Sequence, residues 1–247
     1  MNIDLVKQRI LNRKSARFLL AILVLIGLFF YLRYFFTTGV FYDDTFLKKQ
    51  GEYPDVQYIG KVKQGKIQIS VKALNEKQNS IDVSFRLPNN INKQYNVSFK
   101  DIAGWGLRNI IIKDYDSNLV FEGQYEENSP FMFDKYGKPS VGNEIVQVMV
   151  NREAIYNDDY KISSKKVADF AALSGETTRG ELGYLLLAII IFALTLIDIK
   201  YPLLFFNLKY MFSVRDPEPS DFYISMQQIS WVFMPIIGLF LLIVAVI

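Results

Sequence analysis

Cysteine and histidine are both absent from the 247 residues. Their absence excludes disulfide frameworks, thiolate nucleophiles, Cys/His zinc sites and every triad or general base built on imidazole. The chemistry left open is carboxylate, hydroxyl, lysine or tyrosine catalysis, or a carboxylate-held Ca²⁺ or Mg²⁺. A dominant charge is missing too. The net charge is +3, and residues 37–180 hold nineteen Lys/Arg against nineteen Asp/Glu, so nucleic acid is not an expected partner. What the chain has in excess is apolar: 51% hydrophobic and 15% aromatic residues beside 21% charge. That excess is concentrated in three blocks, residues 18–36, 183–199 and 229–247, while the stretches between have ordinary globular polarity.

The three blocks predict three bilayer spans. Residues 18–32 carry no charge and would extend only ~22 Å as a helix, so the first helix is expected to continue past Arg33, which can snorkel to the headgroups. A cleaved signal peptide is the competing reading, but Phe35-Phe36-Thr37-Thr38-Gly39 offers no small-residue cleavage site, which favours an uncleaved anchor. The eleven Leu, Ile and Phe residues of block 183–199 contribute about −5 kcal/mol toward insertion, against roughly +3 for Asp198 at mid-membrane. Block 229–247 has no ionisable side chain, and Pro235 predicts a mild kink within it. Lys7, Arg9, Arg13, Lys14 and Arg17 precede the first span against Asp4 alone, so the tail of residues 1–17 is expected in the cytoplasm. By alternation, residues 37–182 lie outside and residues 200–228 form a cytoplasmic connection of a multi-pass cell-membrane protein.

From Val56 onward the outer segment alternates with period two, in Lys66-Ile67-Gln68-Ile69-Ser70-Val71, Ile81-Asp82-Val83-Ser84-Phe85 and Tyr95-Asn96-Val97-Ser98-Phe99. Asp116-Ser117-Asn118 should close a hairpin between residues 110–112 and 119–121. Further strands are expected at residues 145–150 and near 160–163. About seven short strands with turn signals every 8–12 residues predict an antiparallel sandwich or barrel. Residues 164–173 read as a serine-capped helix leading to the second span.

Candidate sites each have two readings. Asp114-Tyr115-Asp116-Ser117-Asn118 opens like a calcium loop, but Leu119 stands where that loop needs glycine and Tyr125 where it needs glutamate, so a turn is expected and no metal or other cofactor. Phe131, Phe133 and Tyr136, between Pro130 and Pro139, either dock a partner or outer leaflet or are half-buried strand residues. Trp105, between two glycines, is either an exposed ligand platform or a core residue beside a bulge. Asp198 marks either a membrane boundary or a functional site. Residues 202–212 are too apolar for a free loop and should lie in the inner interface. In Arg215-Asp216-Pro217-Glu218-Pro219-Ser220, the side chains of Arg215, Asp216 and Glu218 either form a recognition motif on extended backbone or simply precede the Ser220 cap of the third helix.

Pro202, the aromatic stretch after it and Glu218-Pro219-Ser220-Asp221 before a last span resemble a family of uncharacterised small bacterial membrane proteins, over about residues 198–247. That resemblance implies no activity. Because the residues offer no convincing catalytic set, the expectation is a non-catalytic, membrane-anchored binding or accessory protein, which presents its outer β domain to a protein partner in an envelope assembly. The alternatives are an enzyme on envelope polymers or lipids, using carboxylates such as Asp101, Asp114 or Glu122, and an accessory subunit of a transporter.

Overall fold

A computed structural model describes residues 3–75, 80–103, 107–127, 129–140, 149–150, 153–154, 156–157, 160–210 and 218–247. The elements run α1 (Ile3–Phe35), β1 (Thr38–Tyr42), β2 (Thr45–Glu52), β3 (Asp55–Val62), β4 (Gly65–Asn75), β5 (Ser80–Leu87), β6 (Ile91–Ala103) and β7 (Leu107–Asp114). They continue as β8 (Leu119–Tyr125), β9 (Met132–Asp134), β10 (Pro139–Ser140), β11 (Met149–Val150), β12 (Glu153–Ala154), α2 (Ser164–Ala171), β13 (Thr177–Thr178), α3 (Leu182–Lys200), α4 (Leu204–Tyr210) and α5 (Asp221–Val244). The chain divides into two compact units, residues 37–178 and the pair of segments 1–36 and 179–247.

In the strand unit, eleven strands form one antiparallel sheet in the order β10-β9-β8-β7-β6-β5-β4-β3-β2-β1-β13, almost a pure meander. The strand count predicts a sandwich or barrel; the described strands instead form this one open sheet, beside a small β11–β12 pair. Alternation explains its two faces. Val56 and Tyr58, Ile67, Ile69 and Val71, Val83 and Phe85, and Ile110 and Ile112 are buried on one side, while Lys66, Lys72 and Arg86 stay in solvent on the other. The sheet curls around its apolar side. Tyr42 on β1 and Phe85 on β5 bring their ring centroids to 6.2 Å, although four strand spacings would separate them by ~19 Å in a flat sheet.

What fills the concave side is α2, not a second sheet. Val167, Ala168, Phe170 and Ala171 form its buried stripe, and the Phe170 ring lies 5.3 Å from Tyr58 and 5.6 Å from Phe85. The Ser163 hydroxyl caps its start by accepting from Lys166 N. Its end is a Schellman closure, with Ser174 N donating to Asp169 O, Leu173 N to Phe170 O, and Leu173 at φ +54°. The strand expected near residues 160–163 is absent: Tyr160 and Ile162 are buried beneath the sheet as non-strand backbone leading into the cap. Two strands before Val56, β1 and β2, extend the sheet beyond what the alternation shows.

Among the described residues of the other unit, three helices are long and apolar enough to cross a membrane: residues Phe18–Phe35 of α1, α3 and α5. The third begins at Asp221, eight residues earlier than the apolar block, because Ser220 accepts from Tyr223 N and starts the helix there. The apolar stretch expected to lie in the inner interface is partly helical, as α4. At one end the three helices are tied together: Gly180 N donates to Phe35 O, Glu181 N to Ala245 O and Tyr31 OH to Leu242 O, around buried Phe35, Leu185 and Ala245.

Candidate functional site

Three carboxylates in the strand unit are each bound to tyrosine and lysine, and all three fasten α2 or the turn after it to the sheet. Tyr42-Asp43-Asp44-Thr45 is a two-residue hairpin turn whose central residues lie at φ +45° and +58°, a conformation that aspartate tolerates. The Asp43 side chain is 2% exposed and accepts from Tyr160 OH and Lys166 Nζ. Tyr42 OH completes the group at 2.8 Å from Tyr160 OH. Asp169 on α2 accepts from Tyr125 OH at 2.9 Å and from Lys165 Nζ, and Ser174 Oγ sits 2.7 Å from the same phenol. Glu176 accepts from Lys49 Nζ at 2.8 Å and from Tyr58 OH.

Burial is the main reason that these phenols hold their protons: desolvation raises the pKa of Tyr42, Tyr58, Tyr125, Tyr156 and Tyr160 above the ordinary value. Hydrogen bonds to Glu176 and Asp43 add to the rise for Tyr58 and Tyr160 respectively. A phenol so held donates a hydrogen bond and is neither base nor nucleophile near neutrality. The groups are fastenings of the fold.

Of the carboxylates named as catalytic candidates, Asp114 and Glu122 do not converge. Asp114 follows Ile110 and Ile112 on the core-facing side of β7, whereas Glu122 pairs with Ile111 on the opposite side. The Asp114 carboxylate is occupied by its own turn, accepting from Asn118 N at 2.8 Å and Asn118 Nδ2 at 3.0 Å. The Asn118 side-chain hydrogen bond is the chief cause of its lowered pKa. This is the β7–β8 hairpin turn. Among the described residues no group of three or more Asp or Glu is placed to hold a metal ion. The side chain of Asp101 lies outside the described residues.

The aromatic segment forms the β9–β10 hairpin. Met132 points into the core at 3% exposure, Phe133 is half-buried, and Phe131 and Tyr136 are 47% and 75% exposed. The tip is braced by Asp134, whose Oδ1 accepts from Tyr136 N at 2.8 Å and Lys138 N at 2.9 Å, with Gly137 at φ +74°. Asp134 N also donates to Lys138 O. Beside the start of this hairpin, a cleft of about 430 Å³ runs between β1, Ser129-Pro130 and α2. Trp105, Arg215 and Asp216 lie outside the described residues; Glu218 is exposed just ahead of the Ser220 cap.

Asp198 is not a bare boundary charge. In the last turn of α3 its Oδ1 accepts from Gln227 Nε2 at 2.8 Å and its Oδ2 from Trp231 Nε1 at 2.7 Å. Gln227 and Trp231 are four residues apart on α5 and so share one helix face. Thr195 and Gln227 are buried beside the carboxylate, and a cavity of about 360 Å³ opens next to it. Sequence reading places the third span at residue 229, so Gln227 falls outside it and goes unnoticed. The available signal is a glutamine and a tryptophan at helical spacing after a serine cap.

Residues 187–245 match a family of unknown function, DUF6199. No curated protein and no solved structure matches the chain. The matched stretch holds most of α3, all of α4 and all of α5, and it contains Asp198, Gln227 and Trp231; α1 and the strand unit lie outside it. The helix hairpin is therefore what the chain shares with that family. Close packing holds it: Gly238 of α5 faces the Phe192 ring of α3, where a Cβ would come within 2.8 Å.

Proposed function

We propose that the chain is a non-catalytic, membrane-anchored accessory protein of the bacterial envelope, which holds its strand domain outside the cytoplasmic membrane and docks a protein partner through the β9–β10 hairpin. The observation that carries this reading is the exposed pair Phe131 and Tyr136 on a hairpin stiffened by Asp134 and anchored in the core by Met132. Aromatic side chains on a rigid support lose little conformational freedom on binding, and they are enriched among the residues that dominate interface energetics. The buried ionisable groups nearby act as fastenings, which favours this reading over catalysis.

The test is a photo-crosslinking amino acid placed at Tyr136 in the full chain, expressed in its native host. One discrete cross-linked protein band is expected, and it should fade by roughly tenfold when Phe131→Ala removes the second aromatic. A diffuse smear or no product at all, with the chain folded and inserted, would count against this surface.

A further inference from the structure

We propose that the cavity beside Asp198 binds the primary ammonium of a phospholipid headgroup, drawn from the leaflet at the α4 end of the spans. The inference rests on reading the three helices as bilayer spans, which resistance to alkaline extraction checks separately; it does not depend on the docking role of the β9–β10 hairpin.

Three observations lead to it. First, the carboxylate is oriented but receives no countercharge. Gln227 and Trp231 each give one oxygen a neutral donor, which leaves further acceptor capacity on both oxygens. Among the described residues no ion pair includes Asp198, and the basic side chains nearest in sequence are turned to rings, Lys200 over Tyr201 at 5.2 Å and Lys209 over Tyr210 at 5.4 Å. A charge so placed near hydrocarbon is costly until a cation joins it.

Second, the depth suits a headgroup. The nineteen residues of α3 span ~28 Å, close to the thickness of the hydrocarbon layer, and Asp198 lies in the last turn, at the end away from the Glu181–Ala245 junction. Third, the cavity opens sideways onto surface that a bilayer would cover. Leu194, Met226 and Met234 on its rim are 43–48% exposed, and Trp231, Tyr223 and Phe205 supply aromatic walls. At about 360 Å³ it falls in the ~300–1,000 Å³ range of small-ligand sites. An ammonium with N–H donors fits the two acceptor oxygens, aromatic walls favour a cation, and the apolar rim receives the start of an acyl chain.

The experiment titrates the purified full chain in mild detergent with phosphatidylethanolamine, phosphatidylcholine and phosphatidylglycerol of identical acyl chains, and counts bound lipid by native mass spectrometry. Phosphatidylethanolamine is expected to bind on the order of tenfold more tightly than phosphatidylglycerol, with phosphatidylcholine between them. Asp198→Asn should abolish that preference. Met234→Trp, which keeps the carboxylate and fills the cavity, should abolish lipid retention and decides the matter where Asp198→Asn does not fold. Arg215→Ala should leave the preference intact. Equal retention of all three lipids, or an unchanged preference in Asp198→Asn or Met234→Trp, overturns the proposal. So does a preference that appears only in Arg215→Ala, because the chain's own guanidinium would then be the occupant.

Discussion

Tyr160 shares its hydroxyl proton with Asp43, Tyr125 with Asp169 and Tyr58 with Glu176, and burial keeps each phenol neutral. The consequence for stability has a definite sign. A phenol whose pKa is higher in the folded than in the unfolded chain binds more protons when folded, so its contribution is complete below the unfolded value near 10 and declines as pH climbs toward the folded one. Above about pH 10 the strand domain should lose on the order of 1.4 kcal/mol per pH unit for each phenol still held neutral. Hydrogen exchange of the full chain between pH 8 and 12, with tyrosinate absorbance followed in parallel, checks this. A phenol titration complete near pH 10 without unfolding would contradict it. Asp43→Asn should move the Tyr160 titration to lower pH and weaken the domain by roughly 1–3 kcal/mol, toward the lower end because Lys166 keeps partial access to water. None of this was legible beforehand. What buries Asp43 arrives more than a hundred residues later in the chain, with Tyr160 and Lys166.

The strands β4 to β6 are readable because one face of each is buried and the other wet, so apolar and polar residues must alternate, whereas β7 and β8 carry the continuous apolar runs 110–112 and 119–121 and are readable through the Asp116-Ser117-Asn118 turn between them. In β2 only Leu47 is fully buried among Lys48, Lys49 and Gln50, and no such rhythm forms. Alternation also cannot say what covers a buried face. A second sheet and a helix demand the same pattern, which is why the single curled sheet around α2 could not be told from a sandwich. Gly123 offers a test at this level. A Cβ there would lie 2.1 Å from Phe133 O, so only glycine lets β9 pair this closely with β8. Gly123→Ala should push β9 away, weakening the hairpin locally by about 1–3 kcal/mol. Faster amide exchange confined to residues 131–140, together with loss of the Tyr136 cross-link, is the expected result. Unchanged exchange there would show that the close approach does not hold the hairpin.

At the scale of the whole molecule, the helix hairpin and the strand domain have separate claims to function. The family match covers the hairpin with its Asp198 group, whereas the strand domain carries the exposed aromatic tip. Orientation links the two roles. Five basic residues precede the first apolar block against one acid, which should retain that end inside and deliver the strand domain outside. The natural absence of cysteine makes the arrangement directly measurable, because any introduced thiol is the only one present. Tyr136 and Glu218 suit single cysteine substitutions: both are exposed, and among the described residues one helix long and apolar enough to cross a membrane, α3, separates them in sequence. In cells stripped of their wall, a membrane-impermeant maleimide should label Tyr136→Cys and spare Glu218→Cys, and lysis should make the two equal. The reverse pattern would put the strand domain in the cytoplasm and the Asp198 cavity against the outer leaflet. Labelling of both in intact cells would mean that α3 does not cross at all, and the charge at Asp198 would then need another explanation.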